Sequence, residues 1–134
     1  MLACTEIFVN LLESKNFKYS SAQLTENEDL VSLPYDGKEV DCIFSGDKGE
    51  YLSLYCYYES VDDEKVADVI MLCNELNSVY KWVKFFVNDK QKLVIEDDAL
   101  LSLDTAGDEA FELIVRMVHI VSDEKKKIMR TLYA

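Results

Sequence analysis

A chain of 134 residues, half of them apolar and under a third charged, is long enough for one globular domain with a real core and too hydrophobic to be disordered. Its 14 basic and 26 acidic residues leave a net charge of −12, which argues against nucleic acid or anionic membrane surfaces as partners. No run approaches the ~20 apolar residues of a membrane span. The N-terminal MLACTEIFVNLLES carries Glu6 and Glu13 and no basic stretch, so it does not read as a signal peptide, and a cytoplasmic location is expected.

In chain order, Ala3, Ile7, Phe8, Leu11 and Leu12 mark one face of a first helix, which ends at Ser14-Lys15-Asn16. Residues 20–27, SSAQLTEN, read as a loop or an irregular strand. Leu30, Val31 and Leu33 mark a strand that Pro34 should stop. Asp36-Gly37 signals a tight hairpin into a second strand, with Val40, Cys42 and Phe44 on one face and Asp41 and Ile43 on the other. SGDKGE turns the chain into a third strand, YLSLYCYYES, where Leu52, Leu54, Cys56 and Tyr58 alternate with Tyr51, Ser53, Tyr55 and Tyr57.

A second helix begins after Ser60 or Asp62, either of which could cap it, and Asp63 and Glu64 suit its positive end. Its expected buried stripe is Val66, Val69, Ile70, Cys73, Leu76, Asn77 and Tyr80. The helix runs without Gly or Pro into a strand at 81–88, where Val83, Phe85 and Val87 alternate with Trp82 and Phe86. A turn at Asn88-Asp89-Lys90 leads to a strand near 92–97. Phe111, Ile114, Met117 or Val118, and Val121 form the stripe of a last helical region, with a kink or a short separate helix near 122–132.

The order is α-β-β-β-α-β-β-α. Runs of hairpin-linked strands between helices predict an α+β fold, with one domain over 1–134. Its antiparallel sheet should carry helices mainly on one face.

Few residues suggest chemistry. Cys4, Cys42, Cys56 and Cys73 form no C-x-x-C pair or zinc spacing and read as free thiols. The four glycines, at 37, 46, 49 and 107, permit neither a Walker A loop nor G-x-G-x-x-G. GDKG at 46–49 fits a hairpin turn better than an RNA-binding loop, which would sit between helices in a basic groove. His119 has no nucleophile or orienting group nearby in sequence. The clusters Asp62-Asp63-Glu64, Glu96-Asp97-Asp98 and Asp104, Asp108-Glu109 lack calcium-loop spacing; two of them precede helices, where acidic residues are expected, and solvated helix starts are favoured over a metal site. No catalytic residue, metal site or cofactor is expected.

The stretches NELNSVYKWVKFFV, LVIEDDALLSLDTAG and IVRMVHIVSDEKKKIMRTLY resemble the bacterial YbjN family over essentially the whole chain. The resemblance implies a type III secretion chaperone-like fold, small, acidic and often dimeric, and a role as a sensory transduction regulator. It brings no catalytic residues. Near the helix-to-strand joint, Asn77 is expected to bond local backbone groups at the helix end, with Asn74 buried and bonded to the same purpose. Tyr80 and Trp82 should pin the exit.

These readings combine into a non-enzymatic, chaperone-like or regulatory module that binds a protein partner, basic in character, with no nucleic acid or membrane. The alternative is a small-molecule-binding or enzymatic domain whose site the sequence does not display. If Val83, Phe85 and Val87 face the helices, Trp82 and Phe86 lie on the opposite face with one row of the third strand, Tyr51, Tyr55 and Tyr57 or its alternate. The sheet would then be apolar on both sides, which predicts protein binding there and a homodimer, with the second helix as a competing interface. A thiol titration of unfolded, unreduced protein should count four free cysteines; two or none in anaerobically prepared material would contradict the reading of the cysteines.

Overall fold

A computed structural model describes residues 1–134. The elements are α1 (Ala3–Ser14), β1 (Ser20–Thr25), β2 (Glu28–Tyr35), β3 (Lys38–Ser45), β4 (Tyr51–Ser60), α2 (Val66–Val79), β5 (Lys84–Val87), β6 (Lys92–Leu100), α3 (Ala106–Asp123) and α4 (Lys125–Tyr133). Short 3₁₀ turns precede α2 and α3. The expected α+β order is present, with β1 added at its start and α4 distinct from α3 at its end. All six strands form one antiparallel sheet in the order β1-β2-β3-β4-β6-β5.

Alternation decides the two faces. Val31, Leu33, Val40, Cys42, Phe44, Leu52, Leu54, Cys56, Phe85 and Ile95 all point to one side, where they join a 31-residue core cluster with α1, α2, α3 and α4. Phe8 of α1 meets Phe44 with ring centroids 5.5 Å apart. α1 and α3 lie close because Gly107 has no side chain; a Cβ there would stand 3.3 Å from the Ile7 carbonyl oxygen. The four cysteines are buried, unpaired parts of this packing, and burial raises the Cys56 and Cys73 thiols to about 11.

The turns follow local chemistry. Asp36 and Gly37 both take positive φ, 48° and 75°, the primed-turn conformation that matches strand twist. Asn88 accepts hydrogen bonds from the Lys90 and Lys92 amides through Oδ1 and so shapes the β5–β6 turn.

Several expectations need correcting. Pro34 does not stop β2; it pairs with Glu39 inside the strand. β1 pairing ends at Ser20–Ser32, so the outer side of β2 has no neighbour at Pro34 and no ladder bond is lost. The α2 stripe is rotated: Val69, Leu72, Cys73 and Leu76 are buried, whereas Ile70 is exposed. Neither Ser60 nor Asp62 makes a side-chain cap; Gln91 instead donates to the Val61 carbonyl and the Asp63 carboxylate, bracing the approach to α2. β6 runs on to Leu100, past the end expected near 97, and takes in the whole of Glu96-Asp97-Asp98.

The helix-to-strand joint also differs. α2 ends with the Tyr80 amide donating to the Leu76 carbonyl. Asn74 is exposed and makes no side-chain bond at the joint. Asn77 reaches forward rather than to the local helix end: Nδ2 donates to the Phe85 carbonyl at 2.9 Å, and the Phe85 amide donates to Oδ1 at 2.7 Å. Phe85 sits on the outermost strand, so the amide side chain takes the place of a neighbouring strand. Asn77→Ala strands both backbone groups and should lower stability by about 2 kcal/mol in urea denaturation. Asn77→Asp, which keeps only the acceptor, should be as damaging at neutral pH and recover in part as the carboxyl protonates.

Candidate functional site

The sheet face away from the core is uncovered by any helix. Pairing across β3, β4, β6 and β5 sets its residues side by side. Tyr57 and Phe86 both pair with Val94, Tyr55 pairs with Asp41 and Glu96, Ser53 with Ile43 and Asp98, and Tyr51 with Ser45 and Leu100. Val94 is fully buried yet stands outside the core cluster, consistent with cover from side chains on this face. Tyr55 and Tyr57 stack with centroids 6.1 Å apart and ring planes 17° from parallel. Tyr51, Tyr57 and Leu100 are exposed, at 57%, 45% and 68%.

β4 keeps this row in place through a bulge. Tyr57 pairs with Val94 and Glu59 with Leu93, leaving Tyr58 as the extra residue. Tyr58 is half-buried and still packs against the core cluster on the side of Leu52, Leu54 and Cys56, with the Lys38 ammonium 5.6 Å from its ring centre.

The open face is not simply apolar, contrary to expectation. Carboxylates alternate with the aromatics: Asp41, Glu96 and Asp98 share it with Lys84, which lies 3.6 Å from Glu96 and 3.9 Å from Asp98. Ser32 donates to Asp41 at 2.6 Å. Partial burial, then the hydrogen bond and charge of Asp98, raise the Glu96 carboxyl; Lys84 opposes the shift. Burial first, then neighbouring carboxylates, also raise the Tyr55 and Tyr57 phenols. The result is an aromatic floor with a negative rim, suited to apolar contact beside a cationic group.

Of the residues expected on this surface, Tyr51, Tyr55, Tyr57 and Phe86 come together. Trp82 does not join them. It precedes β5 in a bend that breaks the alternation, and its exposed ring lies under the Arg116 guanidinium of α3, 5.1 Å away. Arg116 also bonds Asp97 at 3.3 Å. Asp97 alternates with Glu96 and Asp98, so it points to the covered side and is buried; burial raises its carboxyl against the pull of Arg116. Trp82 thus marks the β5 edge on the helix side. Lys84, Val94, Glu96, Asp98 and Leu100 belong to the open face but were absent from the sequence-based group, although the alternation of β6 carries the signal.

Elsewhere, His119 is exposed and sits 3.5 Å from Asp123. No group of three or more His, Cys, Asp and Glu side chains converges as a metal site. A groove of about 580 Å³ separates α2 from α4, and the 2.6 Å Lys127–Glu75 ion pair lies in its lining. No helix is long and apolar enough to cross a membrane.

The class defined is thus a small α+β fold with one sheet face closed by helices and the other open, aromatic and acidic. Residues 6–125 match the YbjN family, described as "Putative bacterial sensory transduction regulator", and the chain belongs to that family. No curated protein matches it. Among solved structures it is similar to a chain of the heterodimeric complex ExoU-SpcU from the type III secretion system of Pseudomonas aeruginosa, at 16% identity, covering 96% of each chain with a TM-score of 0.46.

The raised Glu96 carboxyl has a signed consequence. Its folded value lies above the ordinary 4.5, so the fold favours the protonated form and loses that contribution as pH rises from about 4.5 through the raised value. Glu96→Gln should flatten stability across this window and raise it at neutral pH by less than about 1 kcal/mol, read as the urea midpoint at several pH values.

Proposed function

We propose that this YbjN-family protein is a non-enzymatic binding module that holds a segment of a basic protein partner on the open sheet face. The observation that carries the reading is the row of Tyr51, Tyr55, Tyr57, Phe86 and Leu100 set among Asp41, Glu96 and Asp98 on a face no helix covers. Aromatic side chains give large contact area at small entropic cost, and a desolvated carboxylate rim favours Lys or Arg on the guest. Trp82 extends the surface around the β5 edge. The chain 1–134 acts as one domain in the cytoplasm, as a homodimer, and its capture of the partner serves the regulatory role named for the family. The net charge of −12 keeps an exposed aromatic face soluble and steers a basic partner toward it.

Affinity capture from native cytoplasm with mass spectrometry tests this, using wild-type protein beside Tyr55→Ser and Phe86→Ser variants whose far-UV circular dichroism is unchanged. Wild type should enrich a specific basic partner, and both variants should lose it. Hydrogen exchange should slow in β4 and β6 of the complex, and binding should weaken as salt rises. If no partner is enriched while a metabolite screen raises the melting temperature by several degrees, the small-molecule reading replaces this one.

A further inference from the structure

The largest cavity of the molecule lies on the helical side, away from the open sheet face. α2 and α4 run side by side in opposite directions and bound a groove of about 580 Å³. Two contacts bridge its ends. Lys65, just before α2, donates to the Ala134 carbonyl beyond the end of α4. Lys127, at the start of α4, pairs with Glu75 late in α2 at 2.6 Å. About ten residues of helix, roughly 15 Å, separate the two bridges. The space suits a compact ligand and is too short for a long peptide segment.

Its charge is opposite to that of the chain. α4, Lys125–Tyr133, carries four cations and no acid in a molecule of net charge −12. Arg130 lines the groove with Lys65 and Lys127. Lys126 lies four residues before Arg130, so both project from the same side of α4. Neither Lys126 nor Arg130 forms an ion pair within the chain, although 26 acidic residues are available. Asp68 and Glu75 also line the groove, and Glu75 is already held by Lys127. A singly charged carboxylate would gain little beside these acids. A doubly charged phosphate meets the free guanidinium fork of Arg130, which matches its oxygens, and lysine ammoniums close by. Asn74 adds an amide donor that the helix-to-strand joint does not use. Met71, 71% exposed, and the buried Leu72 form the apolar part of the lining.

We propose that the groove between α2 and α4 binds a small organic phosphate, with the phosphate on Arg130, Lys126 and Asn74 and the apolar body against Met71. The site lies on the opposite side of the sheet from the aromatic face and does not depend on the function proposed above.

An amide NMR titration of the full chain tests the site, with phenyl phosphate, inorganic phosphate and benzoate as probes. Phenyl phosphate should shift the amides of Met71, Asn74, Arg130 and Thr131 along a saturable curve and leave those of Tyr55 and Phe86 unmoved. Inorganic phosphate, which lacks the apolar body, and benzoate, which lacks the second charge, should each bind more weakly. Arg130→Gln should weaken phenyl phosphate by about tenfold, the loss expected for one charge-assisted contact. Met71→Ser should weaken phenyl phosphate and leave inorganic phosphate unchanged. Lys90→Gln, which removes an exposed cation from the β5–β6 turn, should change neither and so controls for general charge. All three positions are exposed, and far-UV circular dichroism should be that of wild type. The absence of a saturable shift with phenyl phosphate, affinity that Arg130→Gln leaves intact, or benzoate binding as tightly as phenyl phosphate overturns the proposal. Partner capture reads the other face separately: Arg130→Gln should retain it, whereas Tyr55→Ser should lose it and still bind phenyl phosphate as wild type does.

Discussion

The structure depends on a pair of hydrogen bonds between one amide side chain and one strand residue. Asn77 presents a donor and an acceptor side by side, as a peptide group does, and so satisfies both the carbonyl and the amide of Phe85. Without it, β5 would be a four-residue edge strand held on one side only. The bond ties the last turn of α2 to the outermost strand and fixes how the chain enters β5. Phe85 then enters the core beneath α2, and Tyr80 packs near it with ring centroids 6.3 Å apart. The side chains of Phe86 and Lys84 fall on the open face as a result. A contact that looks like local helix termination therefore determines which side chains the far surface displays.

That surface has a physical tension within it. Glu96 and Asp98 share one face with tyrosines, so water is partly removed from carboxylates that have a single lysine between them. Asp97, one residue away, faces the interior and is answered by Arg116, itself stacked on Trp82. The buried acid has a partner in the fold, whereas the open-face acids are only partly neutralised. The proposed binding face therefore holds a carboxylate, Glu96, whose charge the fold itself answers only with the exposed Lys84.

Strands with one buried and one open side were readable from sequence, because period-two alternation is strong in β3 and β4: Val40, Cys42 and Phe44 against Asp41 and Ile43, and Leu52, Leu54 and Cys56 against the tyrosines. β1 was not, since SSAQLT buries neither face and so has no alternation to display. Ile70 was expected inside and Leu72 was missed because α4, which buries Ile128 and Leu132, also packs on α2; a contact some fifty residues distant moves the stripe. Trp82 was misplaced because the bend before β5 resets the alternation without a glycine or proline to announce it. The tyrosines of the candidate site were legible, but the acidic half was not, as the strand was expected to end near 97 and only its continuation to Leu100 separates the three consecutive carboxylates by face.

The order of the strands also dictates how the chain assembles. β1 to β4 form a meander in which every pairing joins neighbours in sequence through a short turn, and such hairpins close within microseconds. The packing of α1 against α3, with Gly107 set on Ile7, instead closes a loop of about a hundred residues, whose entropy must be lost before the contact is made. Within the helical layer α2 packs locally on β5, whereas the α1–α3 contact carries the larger loop-closure cost. Both α1 and α3 cover the same side of the sheet, so cover of the apolar face hangs on one long-range contact, while the aromatic face depends only on pairings between strands.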